Sequence, residues 1–127
     1  MMNKAEWDAM EADKKDGIIG VRVMGWRSFV EKSGYGRWYT GWESELARKQ
    51  ISDTQHFTTD RNACALVLDK IERRDLVSHY LMYWLSVSGE KDVSIDGRLG
   101  MMGMWRLLRA DPDLCCYCAV RTIEAAT

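Results

Sequence analysis

Hydrophobic and polar positions alternate along this chain with periods that predict a short list of elements. After Asp60, the residues Ala63, Leu66, Val67 and Ile71 recur at helical spacing while Asp69, Lys70, Glu72 and Arg73 fall opposite, which predicts a helix covering a core. Thr59 is its predicted cap, and Asp60 adds a carboxylate where the helix dipole is positive. Lys4 to Met24 reads as one helix, continuous or interrupted, with Trp7 and Met10 on an early apolar stripe and Ile18, Ile19 and Val23 on a later one. Gly17 and Gly20 weaken it, and Gly25 is its stop. Trp26 to Thr40 reads as a hairpin, Arg27-Ser28-Phe29-Val30 and Arg37-Trp38-Tyr39-Thr40 flanking a turn with Ser33, Gly34 and Gly36. Gly41 to His56 is polar and reads as a loop with a short helix around Glu43 to Arg48.

The run Val77 to Val87, closed by Gly89, is rich in aromatic and branched residues and predicts a strand. Both of its faces are apolar, as in the middle strand of a sheet covered on each side. A second short strand is predicted at Val93 to Ile95 and a helix from Leu99 to Arg109, with Met101, Met102 and Met104 as adaptable packing residues. Asp111-Pro112 is a strong helix start, since Asp caps and Pro suits the first helical position, and the last helix runs to about Ala125.

With 127 residues the chain has room for one core, so a single domain spanning 1–127 is expected. The formal net charge of -1, from 18 basic and 19 acidic residues, argues against general nucleic-acid binding, which needs a concentrated basic face. Met1 to Asp16 lacks the apolar core of a signal peptide, and no run approaches the roughly 20 apolar residues of a membrane span, so a cytoplasmic protein with no membrane partner is expected.

Three separated phrases carry a family resemblance. Val23-Met24-Gly25-Trp26 closing the first helical region, Phe57-Thr58-Thr59-Asp60 opening the central helix, and Leu114-Cys115-Cys116-Tyr117-Cys118-Ala119-Val120 in the last one resemble, in order and rough spacing, the phage ABA sandwich domain family. The resemblance implies a phage or prophage product of α+β class, a small antiparallel sheet with helices packed on both faces, made in the cytoplasm of the bacterial host. It transfers no catalytic residue.

Cys115 and Cys118 have C-x-x-C spacing, but no second paired motif completes a zinc site, with Cys64, His56 and His79 isolated. The cysteines are therefore read as small buried residues ahead of metal or redox roles; no metal and no cofactor is expected. His56 and His79 have no nucleophile or acid at motif spacing, and neither a Walker loop nor G-x-G-x-x-G is present, so no catalytic residue is assigned. The richest candidate cluster is Arg37, Trp38, Tyr39 and Trp42, where aromatic faces beside an Arg could anchor an interface, a second subunit or a stacked nucleotide-like ligand, or simply cover the core. The leading expectation is a non-catalytic interaction or binding module that can form a homo-oligomer. The alternatives are a binder sequestering a host-defence nucleotide signal and an enzyme with a site dispersed in sequence.

Overall fold

A computed structural model of the chain describes residues 1–32, 38–43 and 56–127, with segments 27–32 and 38–43 described through their backbone pairing. The described residues are predominantly helical. In chain order they form α1 (Lys4–Asp8), α2 (Ala12–Ile18) running into a π-helical turn (Ile19–Val23), strands β1 (Arg27–Lys32) and β2 (Trp38–Glu43), then α3 (Arg61–Arg73), α4 (Val77–Ser88), α5 (Met101–Leu108) and α6 (Pro112–Ala126).

The expected α-β-α sandwich is overturned. Among the described residues the only sheet is the two-stranded antiparallel β1–β2 pair, in register from Arg27 opposite Glu43 to Lys32 opposite Trp38, and the helices pack on one another with no sheet layer between them. The decisive error lies at Val77–Ser88, expected as a central strand and found as helix α4. A continuous apolar run has no period that separates a buried strand from a buried helix. The helix buries Tyr80 and Trp84, one turn apart, and ends where Gly89 takes a left-handed conformation (φ 67°) open to it at little cost. The strand expected at Val93 to Ile95 is reduced to one bridge between Val93 and Leu99.

α6 is the centre of the fold. Asp111 caps it through the Asp113 amide and Pro112 opens it, as expected from the sequence. Every residue from Cys115 to Val120 is buried, as are Thr122 and Ile123, and α3, α4 and the π-helical turn all pack against this helix. Such all-round burial needs small residues so that neighbours can approach, and Cys115, Cys116, Cys118 and Ala119 supply them. Trp7 of α1 lies against Tyr117 with ring centroids 5.9 Å apart, and Trp26 against Phe57 at 5.5 Å. The first residues are tied to the same helix: the Met2 amide donates to Glu124, and Arg121 donates to the Met2 carbonyl at 2.9 Å.

α3 begins where expected, but its cap is Asp60, whose Oδ1 accepts from the Asn62 amide at 2.9 Å, and not Thr59. Its inward stripe is also rotated. Ala63, Cys64, Val67 and Ile71 are buried, whereas Leu66 is 44% exposed.

The α4–α5 connection is braced by charge. Glu90 accepts two hydrogen bonds from Arg106, at 2.6 and 2.7 Å, and this pairing, with the Asp92 amide, lowers the Glu90 carboxyl to about 2. Asp92 then crosses to the start of α5, where its Oδ2 accepts from the Gly103 amide and its carbonyl from the Gly100 amide. A side chain at Gly100 would drive its Cβ to 2.2 Å from that carboxylate, so the close approach requires glycine.

The rotated stripe makes a direct prediction. Ile71→Ala should destabilise the fold by about 2–5 kcal/mol through lost burial and a residual cavity, while Leu66→Ala should change stability by about 0.5 kcal/mol or less. Urea denaturation of the two variants measures the difference; comparable losses would place Leu66 in the core after all.

Candidate functional site

Asp16 lies on the apolar side of its helix, in line with Ile19, Gly20 and Val23 one and two turns on, and all four are buried. Its carboxylate is 1% exposed. One oxygen, Oδ1, accepts from the Thr58 amide at 2.9 Å and from the Thr58 hydroxyl at 2.8 Å, joining α2 to the segment before α3. The other, Oδ2, has no hydrogen-bond partner among the described residues.

Two further ligating groups lie beside this carboxylate. Asp13, one turn earlier on α2, and His56, just before Phe57, bring a carboxylate oxygen and an imidazole nitrogen so that all three ligand atoms lie within 4.8 Å of one another. Among the described residues this is the one group of three or more acidic, histidine or cysteine side chains so arranged. His56 Nδ1 stands 3.7 Å from Asp16 Oδ2, too far for a hydrogen bond of about 2.7–3.2 Å. It is close to the edge of a tetrahedron with bonds of about 2.0–2.2 Å, which is about 3.3–3.6 Å. Asp16 is fixed by Thr58, whereas His56, with a side chain 63% exposed, can move to close the group. Among the described residues the indole nitrogens of Trp7 and Trp84 and Nε of Arg121 are also buried without hydrogen-bond partners. A neutral indole N–H left unpaired costs about 1–3 kcal/mol and a charged group more, and Asp16 is the one anion in this set, so it favours positive charge beside it, from a protonated His56 or from a bound cation.

The chemistry open to this group is cation binding. Two carboxylates and an imidazole supply two hard oxygens and one borderline nitrogen, with a remaining position facing outward through exposed Asp13 and His56. Sequence reasoning weighed His56 only as an isolated partner for the cysteines and passed over Asp13 and Asp16 as ligands; the readable signal was an aspartate placed on an otherwise apolar helical stripe.

The aromatic and basic cluster expected to form the site stands differently. Arg37 lies outside the described residues. Trp38, Tyr39 and Trp42 belong to β2, in register with Lys32, Glu31 and Ser28 respectively. His79, expected in a strand, is on α4 and exposed.

The cysteines are free and all four are buried. Cys116 donates to the Phe57 carbonyl at 3.4 Å and Cys64 to the Pro112 carbonyl at 3.9 Å. Burial pushes the Cys118 thiol up to about 12. Cys64 also rises to about 12, the lowering by its hydrogen bond with Cys115 being outweighed by Cys116 and by burial, and Cys115 rises chiefly through its bond to Cys64. The Cys64, Cys115 and Cys118 thiols are therefore protonated and poor nucleophiles near neutral pH.

The three phrases that suggested a family meet in space at this point. Trp26 stacks on Phe57, Asp16 bonds Thr58, and Cys116 bonds the Phe57 carbonyl. No protein-family model matches the chain, and no curated protein or solved structure matches it either.

Two outcomes follow from these surroundings. In metal-free protein, Asp16→Ala should cost about 2–4 kcal/mol by stranding the Thr58 amide and hydroxyl, while Asp16→Asn, which keeps an acceptor and removes the uncompensated charge, should match or exceed the parent in chemical denaturation. The raised thiols stabilise the fold fully below their ordinary value of 9.0, and stability should fall as pH climbs from there toward about 12. Cys118→Ala should flatten that alkaline loss, measured as the denaturation midpoint against pH.

Proposed function

We propose that the protein is a small-ligand-binding module whose ligand is a cation, or is held through one, at Asp13, Asp16 and His56. The observation that carries the reading is the buried Asp16 carboxylate, with one oxygen satisfied by Thr58 and the other without a hydrogen bond among the described residues, beside two further ligating groups. Proteins retain such an arrangement against its stability cost where a ligand completes it. Charge decides the class of ligand. Two carboxylates repel a phosphate, so a nucleotide-like ligand cannot occupy the bare group and would require a bridging cation.

The phage or prophage origin belongs to the same proposal and rests on the three sequence phrases alone. No helix among the described residues is long and apolar enough to cross a membrane. The reading as an interaction module stands second, supported by the exposed stripe Met101, Met104, Trp105 and Leu108 on one side of α5.

The test is thermal unfolding of chelator-treated protein with cationic and anionic probes. Binding at 100 times Kd adds about 2.7 kcal/mol of stability. Divalent cations or a polyamine should raise Tm, AMP and inorganic phosphate alone should not, and Asp13→Asn, altering an exposed group, should cut the rise by about half or more. A parent protein insensitive to every cation, or a variant that keeps the full response, would refute the reading.

A further inference from the structure

We infer that the cation is a divalent transition metal of borderline softness, zinc-like rather than calcium- or magnesium-like, held by Asp13, Asp16 and His56 with at least one coordination position left open. The inference rests on the proposed cation-binding function and names its ligand. Ca²⁺ and Mg²⁺ favour sites made wholly of oxygen donors, and an imidazole nitrogen gives them little. A nitrogen beside two carboxylate oxygens is a donor set that suits Zn²⁺ and its first-row neighbours. The 3.7 Å between His56 Nδ1 and Asp16 Oδ2 fits two ligands on one ion better than it fits a direct bond.

The surroundings order the site. Thr58 fixes Asp16 through two hydrogen bonds to Oδ1, which leaves Oδ2 beside His56 and acts as the outer-shell support that ligating carboxylates usually have. Asp13 and His56 are exposed, so the ion enters from the solvent side. The charges of two carboxylates and a divalent ion cancel, and three protein ligands leave a fourth position for water or for an anionic oxygen of a small molecule. A phosphate excluded from the bare site thus becomes an acceptable ligand once the metal is bound.

Isothermal titration of chelator-treated, reduced protein with Zn²⁺ should show one equivalent, with Mg²⁺ and Ca²⁺ binding far more weakly. Asp16→Asn and His56→Ala should each weaken Zn²⁺ by about 100-fold, and Asp13→Asn by at least about tenfold. Circular dichroism checks that Asp16→Asn is folded, and Asp13→Asn and His56→Ala change exposed groups outside the core. Because thiols also bind zinc, Cys115→Ser with Cys118→Ser is the control and should bind as the parent does. Co²⁺ substitution should give d–d bands without a thiolate charge-transfer band. Zinc binding that survives all three ligand variants, or that disappears with the cysteines, overturns the inference. If Zn²⁺ fails while spermidine binds and Asp13→Asn weakens it, the metal assignment falls and the cation-binding function stands; if neither binds, both fall.

Discussion

Helix α6 constrains the whole structure because it is buried on nearly every side over Cys115 to Val120. A helix in that position satisfies its own backbone but can only be enclosed if its surface is thin, and three cysteines and an alanine make it so. Everything described around it is placed by that demand. α3 and α4 lie along it, Trp7 closes over Tyr117, and the π-helical turn carrying Ile19 and Val23 lies against it. The same helix fixes the start of the chain, since Arg121 and Glu124 hold Met2 by its carbonyl and amide.

The candidate site grows from this packing. Cys116 reaches the Phe57 carbonyl from the buried side, Trp26 covers the Phe57 ring, and the next residue, Thr58, turns its amide and hydroxyl to Asp16. The segment 56–60 is therefore held by the core at one end and by the Asp60 cap of α3 at the other. His56 sits at the exposed edge of that fixed segment, which is why a surface imidazole comes to stand near a buried carboxylate. Asp13 follows from helix geometry, being three residues before Asp16 on α2.

Much of the helical content was legible. The start of α3 near Asp60, the Asp111 cap, the proline at 112 and the termini of the last two helices are local signals, and local chemistry decides them, although the cap of α3 is Asp60 where Thr59 was expected. The failures arise where tertiary packing decides. Val77–Ser88 buries Tyr80 and Trp84 and packs its own Leu81, Tyr83, Leu85 and Val87 partly against the core, so its composition pointed to a strand while the three-residue link from Arg73 selected a helical hairpin. Cys64 and Leu66 flank the Ala63–Val67–Ile71 seam from opposite sides, and which of the two turns inward depends on where α6 lies, a fact no single-helix pattern contains. The site was missed for a different reason. Its three ligands come from positions 13, 16 and 56, and no spacing rule joins them.

One signal nevertheless stood in the sequence. Asp16 precedes Ile19 and Val23 on an apolar stripe, where a charged side chain is either paired or functional. Pairing alone would be met by saturating both oxygens, as Thr58 does for one of them. Asparagine at the same place would accept the Thr58 bonds without a charge, so a purely structural role does not call for aspartate. What aspartate adds over asparagine is negative charge beside His56, 3.7 Å from Oδ2, and near the Asp13 carboxylate. Two like charges brought together at the edge of a core repel, and positive charge relieves that repulsion, whether a protonated His56 or a cation held among the three groups. The identity of the buried residue thus carries the argument for a ligand that the fold alone does not make.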